Sequence, residues 1–90
     1  MNSPKIFAGS SNQLLAKAIS QKSKIPPGKI EIGRFADGEI DVWVPEAVNN
    51  SNVFIIQSNS HPVNDHIIEL SLIADALRRS GAHKITAVIP

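Results

Sequence analysis

The residues best placed for chemistry in this 90-residue chain are Phe35, Asp37 and Glu39, set around Gly38. A phenyl ring offers a face on which a planar base can stack, and two carboxylates accept hydrogen bonds from an exocyclic amine or from ribose hydroxyls. Ile30 and Ile32 alternate with Glu31 and Gly33 on one side, and Ile40, Val42 and Val44 alternate with Asp41 and Trp43 on the other. Two half-buried strands joined through Asp-Gly are the pattern of a hairpin, so the three side chains sit at its tip. Two readings stand side by side. Either the tip contacts a base, or Asp37-Gly38 only makes the turn and Phe35 folds back onto its own sheet, which is the commoner use of such turns.

Other reactive side chains carry less. His61, Asp65 and His66 are metal-ligating types, yet His61 falls in a turn and the other two are neighbours on a helix, pointing in different directions. Asp65 in a first helical turn suits the helix dipole, and both histidines read as surface residues. His83 falls on a connecting loop, and Asp75 with Arg78 and Arg79 is an ion pair at helical spacing. Ser10, Ser11, Ser58 and Ser60 have no base at a recognisable spacing, and no cysteine is present to act as a nucleophile. Gly9-Ser10-Ser11 could cradle a phosphate, but a single glycine followed by serines reads first as a capped strand-to-helix turn. No catalytic residue and no metal ligand is assigned.

The elements that must position the tip follow from periodicity. Val53-Phe54-Ile55-Ile56 suits a strand buried on both faces, and Ser58 to Pro62 is a turn. From about Asn64 to Arg79, Ile67, Leu70, Ala74 and Leu77 share one helical face, and Ser80-Gly81 ends the helix. Ile85 to Ile89 reads as a second buried strand. Earlier, Lys5 to Ala8 is a short strand, Ser10 with Gln13 matches a capping box, and Leu14, Leu15, Ala18 and Ile19 form an apolar stripe. Pro26-Pro27-Gly28 ends that unit, and Glu46 to Asn52 reads as a polar surface loop. The order strand, helix, hairpin, strand, helix, strand gives an α/β fold: a mostly parallel sheet with an antiparallel hairpin attached, flanked by helices. The second helix also carries Ile68, Leu72, Ile73 and Ala76, more apolar surface than one sheet covers, so a neighbouring subunit or further chain should pack on it.

The composition, 42% hydrophobic, allows one small domain over residues 1–90. A net charge of +1, from 9 basic and 8 acidic residues without a run, gives no footprint for nucleic acid or membrane. The absence of cysteine fits a reducing compartment, and the cytoplasm is the expected location.

Lys5 to Asn12, Gly33 to Ile40, Val53 to Ser58, Pro62 to Asp65 and Ile85 to Pro90 together closely resemble the N-terminal domain of ribose-phosphate pyrophosphokinase, in register along the chain. The resemblance implies a phosphoribosyltransferase-like fold. It implies an enzyme that transfers pyrophosphate from ATP to ribose 5-phosphate with magnesium, in subunits that pair into dimers and often hexamers. It places Phe35 as a stacking face and Asp37, Gly38 and Glu39 as polar contacts to the adenine of ATP held mainly by a neighbouring subunit. The catalytic and metal-binding residues are expected beyond Pro90, so the 90 residues alone should not turn over. The sequence departs from the family where a serine, valine, arginine, glycine run that helps bind regulatory phosphate or ADP is replaced by Ala47, Val48, Asn49 and Asn50. Losing the hydroxyl and the guanidinium puts that regulation in doubt. The alternative is a non-catalytic relative that serves as a regulatory or dimerisation module.

Overall fold

The computed structural model describes residues 2–58, 60 and 62–90. Five strands and two helices are formed: β1 (Asn2–Ala8), α1 (Gln13–Ser23), β2 (Glu31–Arg34), β3 (Ile40–Trp43), β4 (Ser51–Ile56), α2 (Val63–Arg79) and β5 (Lys84–Val88). β1, β4 and β5 make a parallel sheet in the order β1-β4-β5, with Phe7 opposite Ile55 and Ile55 opposite Ala87. The hairpin β2–β3 is antiparallel and forms its own two-stranded sheet, with Ile32 opposite Val42.

Alternation along the strands sends side chains to two faces, and each face finds a different helix. Phe7, Val53 and Ile55 pack with Ile73 and Leu77 of α2, whereas Ile6 and Ile56 pack with Ala16 of α1. The helices therefore cover opposite faces of the sheet. Ile30, Ile32, Val42 and Val44, on the inner side of the hairpin, close over the α2 cluster, while Trp43 on its outer side is 58% exposed. The hairpin is held to the domain by this apolar face and not by strand pairing.

α2 ends as its sequence suggests. Ala82 N–H donates to Leu77 O at 3.1 Å and Gly81 N–H to Arg78 O at 3.0 Å, with Gly81 at φ +95°, the paired bonds of a Schellman cap. Five expectations are corrected. The cap of α1 is Asn12, whose Oδ1 accepts from Leu15 N–H at 3.2 Å; Ser10 is engaged elsewhere, so the Ser10–Gln13 capping box does not form. The buried side of α1 is Leu15, Ala16 and Ile19, leaving Leu14 84% exposed and Ala18 in solvent. The 46–52 stretch is not wholly surface, because Val48 is 1% exposed in the α2 core and β4 already begins at Ser51. β5 lies at the sheet edge and is only half-buried. On α2, Ile73 reaches the core while Ile67 stays exposed, which exchanges their expected roles.

The chain between α1 and the hairpin grips the free side of β1. Ile6 N–H donates to Pro26 O at 3.1 Å and Gly28 N–H donates to Ile6 O at 2.7 Å. Gly28 passes so close to the Phe7 ring that an added Cβ would lie 2.3 Å from it. Glu46, just past the hairpin, pairs with Lys5 of β1 and accepts from Lys29 N–H at 2.5 Å. The bond from Lys5, with the Lys29 amide and both lysine charges, holds the Glu46 carboxyl below its usual range against a smaller opposing effect of burial.

Two outcomes follow. Gly28→Ala drives a methyl into a ring that cannot move aside and costs about 1–3 kcal/mol, whereas Gly33→Ala, with nothing within 4 Å of its Cβ, stabilises by roughly 0.5 kcal/mol; chemical denaturation reads both. The depressed Glu46 carboxyl contributes stability that is complete above its unfolded value near 4.5 and fades as pH falls through the lower folded value. Glu46→Gln should therefore be less stable than wild type at neutral pH, and the gap should close in melts taken below that range.

Candidate functional site

The hairpin tip is a tight, hydrogen-bonded loop. Phe35 N–H donates to Glu39 O at 2.8 Å and Gly38 N–H donates to Phe35 O at 2.9 Å, closing a turn whose last residue, Gly38, sits at φ +91°. Glycine is the residue that takes that conformation without strain. Asp37 Oδ1 accepts from Glu39 N–H at 3.1 Å, so one carboxylate oxygen shapes the turn. Among the described residues the other oxygen of Asp37 and the carboxylate of Glu39 have no partner. The Phe35 ring is 55% exposed. It does not fold back onto its sheet. Phe35, Asp37, Gly38 and Glu39 are thus brought together at one exposed end of the hairpin.

Arg34, which sequence reasoning passed over as a site residue, fixes the direction of the tip. Its Nη1 donates to Gly38 O at 2.6 Å and its Nη2 to Asp65 Oδ2 at 2.8 Å, bridging the turn to the first turn of α2. Beside this bridge is a cavity of about 350 Å³ with Glu39, Ile40, Ile68 and Leu72 in its walls. The link joins residues 31 positions apart, and no local spacing rule reveals it.

A second polar cluster lies at the carboxyl ends of β1 and β4. Glu69, 4% exposed, and Gln57, 1% exposed, bond to Ser10 and Ser11. The amides of Gly9, Ser10 and Ser11 donate to Ile56 O, Glu69 and Gln57 respectively, so the loop has no amide left to cradle a phosphate. Neither Glu69 nor Gln57 was singled out from sequence. A glutamate on the apolar side of α2, one turn before Ile73, is the signal that was available.

Of the other candidates, His66 Nδ1 meets Ser60 O at 2.7 Å, Asp75 pairs with Arg79 at 3.0 Å, and His83 is exposed ahead of β5. His61 lies outside the described residues. Among the described residues no group of three histidine, aspartate or glutamate side chains could hold a metal ion, and no helix is long and apolar enough to cross a membrane.

A family model described as the N-terminal domain of ribose phosphate pyrophosphokinase matches residues 4–90. The chain belongs to that family. Proteins named ribose-phosphate pyrophosphokinase from Brucella melitensis and Clostridium tetani are 51% and 54% identical to it over 86 residues, covering 96% of this chain and 28% and 27% of their own length. The phosphoribosylpyrophosphate synthetase structure from Mycobacterium smegmatis superposes with a TM-score of 0.92 at 31% identity, over 99% of this chain and 30% of that one. A purine phosphoribosyltransferase from Pyrococcus horikoshii shares the fold, with a TM-score of 0.69 at 14% identity over 97% of this chain and 58% of its own. This pyrophosphokinase domain spans a little over a quarter of the length of its curated relatives.

Because the Arg34–Asp65 pair is half-exposed, Arg34→Ala should change global stability by less than about 1 kcal/mol. Backbone order parameters at Ala36, Asp37 and Gly38 should nevertheless fall, as the tip loses its tie to α2. NMR relaxation on wild type and variant checks this; equal order at the tip would show that the turn alone sets it.

Proposed function

We propose that this domain serves an enzyme that transfers the β,γ-pyrophosphoryl group of ATP to the anomeric hydroxyl of ribose 5-phosphate, and that its hairpin tip lends contacts to the adenine. The observation that carries the reading is the outward presentation of Phe35 beside the acceptor oxygens of Asp37 and Glu39. An exposed ring stacks on a base, and acceptor-only carboxylates suit an exocyclic amine or ribose hydroxyls. A tip of this kind touches one end of a nucleotide, so most of the grip on ATP comes from elsewhere, in this reading a neighbouring copy in a homodimer or hexamer. The exposed Ile67 and Ile68 on α2 are the apolar surface such an assembly would cover. The proposed setting is the cytoplasm.

Magnesium belongs to the same reading as the companion of the ATP phosphates. The described residues of this domain offer no cage for it. The domain's part is binding and orientation. Regulation of the usual phosphate and ADP kind should be weak, since Ala47 supplies no hydroxyl and Asn49 no guanidinium. Asn50 adopts φ +55°, a left-handed conformation that asparagine tolerates.

The test is a chimera in which residues 1–90 replace the matching stretch of the Clostridium tetani relative. It should form phosphoribosyl pyrophosphate from ATP and ribose 5-phosphate. Phe35→Ala in that chimera should raise KM for ATP about tenfold, the equivalent of one lost stacking contact, with KM for ribose 5-phosphate unchanged. A folded chimera that assembles but makes no product would favour the non-catalytic module, and an unchanged KM for ATP would remove Phe35 from the site.

A further inference from the structure

In an open α/β sheet, ligands enter where neighbouring strands send their helices to opposite faces, just beyond the strands' carboxyl ends. β1 and β4 are such a pair here, with α1 on one face and α2 on the other. The crevice between their loops is filled from within. Glu69 of α2 accepts from Ser10 Oγ at 2.7 Å through Oε1, and through Oε2 from Ser10 N–H at 2.8 Å and Gln57 Nε2 at 2.5 Å. Gln57 Oε1 accepts from Ser11 N–H at 3.2 Å and from Ser11 Oγ at 2.5 Å, and Ser58 N–H donates to Ser11 Oγ at 2.8 Å. An added Cβ on Gly9 would lie 2.1 Å from Gln57 Oε1, so the loop approaches as closely as a side chain at that position would forbid.

We infer that Glu69 is a tethered anion: its carboxylate occupies an oxyanion position built by the Ser10 amide, the Ser10 hydroxyl and the Gln57 amide. It thereby closes the β1/β4 crevice to phosphate- and carboxylate-bearing molecules. Three donors converge on two oxygens, as they would on a small anion. Glu69 also acts as a positioning residue, fixing the 9–12 loop against the start of the β4–α2 loop. This inference stands independently of the nucleotide reading of the hairpin tip.

The experiment compares thermal melts of the 90-residue chain and its Glu69→Ala variant in sodium formate and in sodium chloride at equal ionic strength. The variant, with its donors orphaned, should melt roughly 5–15 °C below wild type in chloride. Formate should recover more than half of that loss in a saturable way, because it restores the carboxylate without the tether. Wild type should respond alike to the two salts. Formate and chloride acting equally on the variant, or formate raising wild type as much as the variant, would overturn the inference. Should Glu69→Ala not fold, Glu69→Gln keeps the shape but sets an NH2 against donors. Native-state hydrogen exchange at the Ser10 and Ser11 amides should then accelerate by at least about tenfold, and unchanged protection would overturn the inference equally.

Discussion

Burial of β4 on both of its faces is the constraint from which the rest of the domain follows. Val53 and Ile55 look towards α2, and Ile56 looks towards α1. A strand covered twice must have a neighbour on each side and a helix above and below, and the chain supplies these with β1, β5, α1 and α2. Having β1 as a neighbour also dictates the route between α1 and the hairpin. The segment crosses the outer edge of β1 by way of Pro26 to Gly28, where it satisfies the Ile6 backbone groups. From there it delivers the hairpin to the α2 side. The placement of the tip is thus a consequence of which face of β4 was already occupied.

Within that frame, the first two turns of α2 organise the loops. Asp65 meets Arg34 from the hairpin, His66 meets the carbonyl of Ser60, and Glu69 meets Ser10. Positions 65 and 69 are one turn apart and share a helical face, so the hairpin tip and the β1–α1 loop are referenced to the same few ångströms of helix. The two attachments differ in kind. The Asp65 pair is exposed and screened by solvent, and it steers; Glu69 and Gln57 are buried and hydrogen-bonded to the more exposed Ser10 and Ser11, and they fix the loop.

The sequence was readable wherever a single element determines its own pattern. The apolar run of β4, the Asp-Gly turn at 37–38 and the glycine stop of α2 at 81 each depend on a few neighbouring residues, and each formed as expected. That Phe35, Asp37 and Glu39 share the hairpin tip was legible for the same reason; that the Phe35 ring turns outward was not, because local pattern favoured its folding back onto the sheet. Reading failed where a distant partner intervened. Ser10 looked like a helix cap because its spacing to Gln13 fits, but Glu69, 59 positions away, takes both its amide and its hydroxyl, and the cap passes to Asn12. Val48 looked like a loop residue among asparagines until the α2 core claimed it. Arg34 and Glu69 carried no sequence signal stronger than a charge at the end of a strand or on a helix, since their partners come from other elements.

Trp43 is the only tryptophan in a chain without tyrosine, and it lies 58% exposed on the outer side of β3, beside Ala76, Arg79 and Ser80 at the end of α2. Its emission therefore reports on the hairpin and on its seat against the end of α2, since phenylalanine does not absorb at the red edge of the indole band. The domain thus carries a single native fluorophore, on its hairpin. Whatever settles against that outer face, whether another copy or the remainder of a longer polypeptide, will announce itself as a shift of the indole spectrum to the blue.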